Sequence, residues 1–243
     1  MTTAAEMGLS ARDIEEFGQA LDAIRARVEA DLGQGDVEYI RRMIKVQRGL
    51  AASGRGLLFA GFFPPAWVAG TAALALSKIL DNMEIGHNIM HGQYDWTRDP
   101  ALSSQNFDWD TACPGDQWRH SHNYLHHTFT NIVGKDRDLG YGILRISPDQ
   151  PWTPRALGNP IYATLLALMF EHGVMLHDVE VENLLSKKQS PADAWNVLRG
   201  GLRKSGKQAL KDYVIWPLAT GPQFVSTAAA NATANVIRNV WAF

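Results

Sequence analysis

"LLFAGFFPPAWVAGTAALALSKIL", residues 57–80, is an apolar stretch whose only charged residue is Lys78. A helix that crosses a bilayer needs roughly twenty apolar residues. The stretch therefore predicts one membrane span, or two spans that turn at Pro64 and Pro65. A buried helical hairpin of a soluble protein is the third interpretation, which the low mean hydropathy of -0.18 favours.

The segment before this stretch predicts helices. Ser10 is a candidate cap, apolar residues recur at helical spacing up to Val28, and Gly33 and Gly35 interrupt the pattern within residues 10–48. Basic residues directly before the apolar stretch indicate a cytoplasmic flank. We therefore predict an amphipathic cytoplasmic arm over residues 1–43 and a membrane domain over residues 44–243.

Two further apolar stretches, Leu157–Leu176 and Tyr213–Phe243, flank a basic segment. A single crossing by the first would place the basic segment on the side opposite the predicted cytoplasmic flank, and Glu171 and His172 would lie inside it unpaired. An interfacial helix or a short hairpin is therefore expected there. The predicted fold is all-α: a membrane helical bundle with a cytoplasmic, His-rich helical cap.

Composition excludes some classes of protein. The formal net charge of -2 argues against nucleic-acid binding. Cys113 is the only cysteine, so the chain has no intramolecular disulfide and no CxxC pair for zinc. Trp96, Trp109, Trp118 and Trp152 are expected either at a membrane interface or in simple packing.

Six of the eight histidines lie in "HNIMH", residues 87–91, and "HSHNYLHH", residues 120–127. His87 and His91 are four apart, as are His122 and His126, so each pair occupies one face of a helix. Packing explains such clusters poorly, because histidine is neither a strong helix former nor a good core residue.

Imidazole suits zinc, iron, copper and nickel, and more candidate ligands are present than one zinc ion needs, which indicates two metals. No H-E-x-x-H motif occurs, and the one E-x-x-H unit, Glu84 to His87, fits soluble di-iron carboxylate bundles poorly. The first pair follows directly on the apolar stretch. A metal there could meet a substrate whose tail lies in lipid.

"HNIMH" followed by "HNYLHHTFTN" resembles the histidine boxes of the integral-membrane fatty acid desaturases. His87 and His91 match the first box, and His122, His126 and His127 match the second; His120 lies outside the pattern. The resemblance implies two non-haem iron ions held by these five histidines, facing the cytoplasm, and the O2-dependent introduction of a cis double bond into an acyl chain.

The resemblance also implies partners. The substrate would be an acyl-CoA, another acyl thioester or a lipid. Electrons would come from NAD(P)H through a reductase and a carrier of the ferredoxin, rubredoxin or cytochrome b5 type. A membrane-lipid hydroxylase or ketolase of the same superfamily is one alternative; a non-catalytic membrane protein that binds metal or haem is another.

The family's third box, H-x-x-H-H, is absent after His127, where only His172 and His177 remain. We therefore expect a C-terminally truncated chain; the alternatives are that a partner chain carries the missing box or that His172 and His177 replace it. A truncated chain is expected to bind less than two irons and to have uncertain turnover, with His177 as an additional candidate ligand. Between the clusters and this region, residues 136–138 are expected to form a solvated turn, and Asn131 is a candidate to fix the tautomer of a ligand imidazole.

Overall fold

A computed structural model describes residues 7–243, and within this range the chain forms helices and loops without a β-strand. The predicted all-α class is confirmed. The α-helices are α1 (Ala11–Asp31), α2 (Gln34–Leu58), α3 (Pro64–Ile79), α4 (His87–Met90), α5 (Gly115–Trp118), α6 (His127–Phe129), α7 (Asn159–Leu168), α8 (Phe170–His177), α9 (Val181–Leu185), α10 (Pro191–Leu210), α11 (Trp216–Ala219) and α12 (Phe224–Ala242).

Three π-helical segments join some of these helices end to end: Leu80–Gly86 between α3 and α4, Arg119–His126 between α5 and α6, and Lys211–Ile215 between α10 and α11. Short 3-10 turns lie at Asp95–Thr97, Pro100–Leu102, Gly140–Gly142, Pro154–Gly158 and Gly221–Gln223. The two histidine clusters therefore both lie where a π-helical segment passes into an α-helix.

Residues 7–42 and residues 43–243 form two separate units, and the boundary between them falls within α2. In the first unit, the predicted cap at Ser10 is present: its hydroxyl accepts the Asp13 N–H at 3.2 Å, and its own N–H donates to the Asp13 carboxylate at 2.7 Å. The helical break lies near Gly33 as expected, whereas Gly35 falls inside α2.

The apolar stretch at 57–80 does not form a single helix. Helix α2 ends at Leu58, a turn follows, and Pro64 and Pro65 begin α3. Proline suits the first helical turn because its missing N–H has no intrahelical partner there, but it cannot continue a preceding helix. None of the helices within residues 7–243 has the length and hydropathy of a membrane span.

Helix α3 packs along α12, and alanines of α12 lie in their contact. Leu74 and Ala75 of α3 meet Ala230 and Ala234 of α12, together with Leu58 at the end of α2. A second buried cluster lies beneath the histidines and consists of Met90, Trp109, Ala112, Cys113, Trp118 and Met175. This second cluster joins the two histidine-bearing segments.

The stretch Leu157–Leu176 contains two short helices, α7 and α8, that are separated at Met169. Glu171, which would be unpaired in a single membrane crossing, is buried in an ion pair with Arg238 of α12. Its carboxylate also accepts the backbone N–H of Ala112 at 3.0 Å. The buried charge is therefore compensated within the protein.

Candidate metal centre

The first histidine pair lies at the end of a continuous helical run. The π-helical segment Leu80–Gly86 continues α3, and His87 then opens α4. The Nε2 atoms of His87 and His91 lie 3.0 Å apart. Because one extra residue per turn rotates the helix face, the π-helical segment sets the direction in which both imidazoles point.

The second cluster approaches the first. His122 and His126 lie in the π-helical segment Arg119–His126, and their rings stack with centroids 4.9 Å apart. The ring of His122 lies 5.4 Å from the rings of both His87 and His91. Two segments about thirty residues apart in sequence thus converge on one position.

Two groups of potential ligands result, and His122 belongs to both. Ligand atoms of His87, His91 and His122 all lie within 4.8 Å of one another, and so do those of His122, His126 and Asp138. His127 belongs to neither group, yet its ring lies 4.7 Å from that of His91 and 4.9 Å from that of His122. All five histidines of the two boxes are brought together.

These imidazoles are suited to bind cations. Burial, together with the neighbouring imidazoles, lowers the pKa of His87 to about 4. The same causes lower the pKa of His91 to about 4. The rings are therefore neutral at pH 7, and a neutral imidazole has the lone pair that a metal requires.

Two carboxylates behind the histidines were missed by the sequence analysis. His122 Nδ1 donates to Asp138 at 2.8 Å, and His126 Nδ1 donates to Asp136 at 3.0 Å. The expected solvated turn at 136–138 is wrong, since Asp136 is buried and Arg137 is paired with Glu180 and Glu182. The D-x-D spacing shortly after the second box was the available signal.

Asp136 is itself held by main-chain donors. The N–H of Asn131 donates to it at 2.7 Å and the N–H of Asp138 at 2.9 Å. Asn131, expected to contact an imidazole directly, thus acts through its backbone on the carboxylate that holds His126. Its positive φ of 61° directs the chain into this turn.

Tryptophans form one side of the site. The Trp118 ring stacks on His122 with centroids 4.5 Å apart, and Trp109 contacts Trp118 edge to face at 5.0 Å. Both are buried, whereas Trp96 and Trp152 are exposed. The four tryptophans therefore do not form one interfacial belt, and Trp109 and Trp118 pack beside the histidine clusters.

Two other histidines lie apart from the five. His120 is exposed and its ring faces Tyr124 at 6.0 Å. His177, a sequence-predicted candidate ligand, contacts Tyr141 at 5.7 Å and belongs to neither ligand group. Its Nε2 atom is buried and has no hydrogen-bond partner among the described residues.

A cavity of about 120 Å³ opens beside the histidines. His87, His122 and Asp138 line one part of it, and Phe170 and Val174 contribute apolar surface. The cavity is small and mostly apolar, and an apolar chain that entered it would lie against the imidazoles of His87 and His122.

The residues present fit metal binding. Metal-binding histidines generally donate their second ring N–H to a carboxylate, a backbone carbonyl or water, which fixes the tautomer and orients the ring. His122 and His126 have a carboxylate in this position. Three nitrogens within 4.8 Å also have the spacing that ligands of one ion require.

Relatives with known names support this interpretation. NADPH-dependent stearoyl-CoA 9-desaturase of Mycobacterium tuberculosis is 44% identical over 237 residues, which cover 96% of this chain. The sn-1 linoleoyl-lipid 6-desaturase of Synechocystis sp. is 34% identical over 98 residues, 39% of this chain and 26% of that protein. The chain is a homologue of fatty acid desaturases.

This desaturase homologue covers 56% of its mycobacterial relative. The chain thus spans little more than half the length of that protein. No protein-family profile matches it. No solved structure matches it either.

Proposed function

We propose that this chain forms the histidine-box region of an O2-dependent fatty acid desaturase, with two non-haem iron ions held by His87, His91, His122, His126 and His127. The observation that carries the proposal is the convergence of two sequence-distant histidine clusters on shared ligand positions. The 44% identity to stearoyl-CoA 9-desaturase over nearly the whole chain supports the same activity. His127 is kept because its ring contacts those of His91 and His122. His177 is left out of the proposed set because it lies in neither ligand group and its ring contacts Tyr141 instead.

Iron bound at this site would supply the oxidising power to remove two hydrogens from adjacent methylenes, as one O2, two electrons and two protons yield a cis double bond and two waters. The chain's own residues have other tasks. Asp136 and Asp138 orient imidazoles, and Trp109 and Trp118 exclude water from one side of the site. The cavity beside His87 and His122 positions the acyl chain.

The proposed substrate is an acyl chain on CoA or in a lipid. The named relatives act on stearoyl-CoA and on a linoleoyl-lipid. Electrons would arrive from NAD(P)H through a reductase and a small carrier of the ferredoxin, rubredoxin or cytochrome b5 type.

We further propose that residues 44–243 form an integral-membrane domain whose histidines face the cytoplasm, and that residues 1–43 form a cytoplasmic arm. The support is a surface rich in apolar side chains. Phe62 is 81% exposed, Val225 79% and Trp241 66%. Lipid in a membrane, or a partner protein, would cover exposed apolar side chains of this size.

The metal test uses the full chain purified in detergent, with iron per chain measured by inductively coupled plasma mass spectrometry. We expect bound iron in the wild type and its loss in the double variant H87A/H122A. The control is His120→Ala. It removes an imidazole from the same sequence cluster, but one whose ring faces Tyr124 and not the other histidines. Iron binding that survives H87A/H122A would contradict the proposal.

Activity is tested by gas chromatography of acyl chains from cells that express the chain. A new monounsaturated acyl chain that disappears in H87A/H122A is the expected product. A hydroxylated acyl chain would instead assign the site to the hydroxylase branch of this chemistry. Fractionation of the same cells, with the chain found only in the soluble fraction, would refute the membrane proposal.

A further inference from the structure

Helix α1 presents an apolar stripe that the described part of the chain leaves uncovered. Its members recur at alternating steps of three and four residues. They are Ile14, Phe17, Leu21, Ile24 and Val28. Each of these side chains is between 47% and 65% exposed, and no residue of α1 is buried within the described range. Such steps place apolar residues at positions a and d of a heptad, the pattern by which one helix packs along another.

The charge of α1 argues against a lipid surface as the cover of this stripe. Six acidic and three basic side chains give α1 a net charge of -3, and its sequence contains no lysine. Helices that lie in a membrane interface are typically rich in Lys and Arg, because lipid headgroups of the cytoplasmic leaflet carry negative charge. A second helix is therefore the occupant that fits the stripe.

The residues that flank the stripe are complementary to a second copy of α1 in antiparallel orientation. With Leu21 at position a, the g positions are Asp13, Ala20 and Arg27. Charges at e and g positions set the partner and the orientation of paired helices. In an antiparallel pair the g positions of the two helices face each other. Asp13 of each copy then lies opposite Arg27 of the other, so two pairs of opposite charge form.

A parallel pair would lack this complementarity. There the g positions of one helix face the e positions of the other, which places Asp13 opposite Gly18 and Arg27 opposite Leu32. No opposite charges would meet. The sequence of α1 therefore favours the antiparallel orientation.

Both members of the proposed pair are available for it. The ion pairs within α1 join Arg12 to Glu16 and Arg25 to Glu29. Among the residues that the structure describes, Arg27 has no carboxylate partner and is exposed. Asp13 uses its Oδ2 atom in the cap with Ser10, which leaves Oδ1 for a second cation.

Gly18 is a second observation that points to a close helix partner. A Cβ atom there would meet nothing within 4 Å, so packing in the described chain does not explain a glycine in the middle of α1. Glycine destabilises a helix interior relative to alanine. In the antiparallel pair Gly18 faces Gly18 of the second copy, and Ala20 faces Ala20. These small residues let the two helices approach closely beside the large ring of Phe17.

We propose that α1 is a self-association surface, at which two copies of this chain pair through antiparallel α1 helices. The proposal goes beyond the proposed desaturase function and requires neither metal nor substrate. One pair of helices of this length forms a small interface, so we expect weak, reversible dimers with a dissociation constant on the order of micromolar.

Cross-linking tests the orientation in the full chain, purified in a neutral detergent and treated with a short bis-maleimide. The native Cys113 is buried, so the wild type should give no cross-linked dimer. Ala20→Cys should give one, because the two copies of position 20 face each other. Asp31→Cys is the control at a d position. Its two copies would be adjacent in a parallel pair but roughly 35 Å apart in the antiparallel pair.

The cross-linking pattern is decisive in both directions. A dimer from Ala20→Cys without one from Asp31→Cys supports the proposal. A dimer from Asp31→Cys, or none from Ala20→Cys, overturns it.

Affinity is measured by sedimentation of the full chain in the same detergent over a range of concentrations. Leu21→Asp should weaken dimerisation at least tenfold, because it would bury an unpaired charge in the centre of the interface. Arg27→Glu should weaken it about fivefold, because carboxylates would then face Asp13 at both ends. Ala26→Asp is the control. It adds the same charge as Leu21→Asp, but on the face of α1 opposite the stripe, and should change affinity by about twofold or less.

All three substitutions are at exposed positions, so circular dichroism should show the wild-type helix content. Iron per chain should also be unchanged in all three. Equal losses of affinity in Leu21→Asp and Ala26→Asp would refute the proposal, as would a wild type that stays monomeric at about 100 μM. Retention of the wild type on phosphatidylcholine vesicles that Leu21→Asp abolishes, without a cross-linked dimer from Ala20→Cys, would assign the stripe to lipid instead.

Discussion

The Nδ1 atom of His122 lies 2.8 Å from a carboxylate oxygen of Asp138. A carboxylate only accepts, so Nδ1 must be the protonated nitrogen, and the lone pair of the ring then lies on Nε2. His126 is held in the same way by Asp136. Asp136 and Asp138, two residues of a loop, thus fix which nitrogen His122 and His126 can offer to a metal.

The first prediction concerns this contact. Asp138→Asn removes the negative charge while keeping the side-chain shape, and should weaken metal binding about 10- to 100-fold, the usual cost of losing such a partner. Titration with Co²⁺, followed by its visible absorption, measures the affinity. Asp149→Asn is the control, because Asp149 is exposed and lies outside both ligand groups. Unchanged affinity in Asp138→Asn would show that the carboxylate does not support the ligand.

The second prediction tests the close approach of α2 and α3. A Cβ atom at Gly54 would lie 2.9 Å from the Gly70 carbonyl oxygen and 3.1 Å from the Leu74 backbone nitrogen. Because backbone cannot move aside cheaply, Gly54→Ala should destabilise the protein by about 1–3 kcal/mol. Thermal unfolding monitored by circular dichroism measures the change.

Gly56 gives a matched control in the same helix. A Cβ there meets nothing within 4 Å. Gly56→Ala should therefore stabilise the protein by about 0.5–1 kcal/mol, since alanine loses less backbone entropy in a helix. Effects of the same sign at both positions would contradict the packing of α2 on α3.

The third prediction concerns a buried charge. Lys78 Nζ lies 2.8 Å from Asp212, whose side chain is fully buried, while Arg55 is more distant at 3.6 Å. Lys78→Met would leave the Asp212 carboxylate poorly compensated and should destabilise the protein by about 3–5 kcal/mol. Thermal unfolding measures this loss. Arg25→Gln, which breaks an exposed pair with Glu29, should have little effect.

The fourth prediction is a pH dependence of stability. Burial alone would raise the pKa of Asp110, but the charges of Lys78 and Lys211 outweigh it and lower the pKa to about 2. A lowered pKa in the folded state stabilises the protein above the unfolded value of 3.8, and this contribution is lost as pH falls from about 4 to 2.

Unfolding temperatures between pH 2 and pH 6 test this assignment. Asp110→Asn should show a smaller decrease in unfolding temperature over that range than the wild type. Asp116→Asn, at an exposed position, should retain the wild-type profile. An identical decrease in Asp110→Asn and wild type would exclude Asp110 as a source of the acid sensitivity.

Much of the helical layout could be predicted from local sequence. The Ser10 cap, the break near Gly33 and the start of α3 at the proline pair depend on interactions within a few residues. The helical repeat likewise predicted that His87 and His91 share one helix face, and that His122 and His126 share another. Of the alternatives for residues 57–80, a single continuous helix is wrong, because the chain turns before the proline pair that begins α3.

The sequence by itself determined which histidines share a helix face, because that depends only on the helical repeat. Only the tertiary structure decided that the two faces converge, that Asp136 and Asp138 hold the second box, and that His177 stands apart. It also paired Glu171 with Arg238. These contacts join residues brought together by loop conformation and helix packing, where spacing along the chain no longer fixes the distance between side chains.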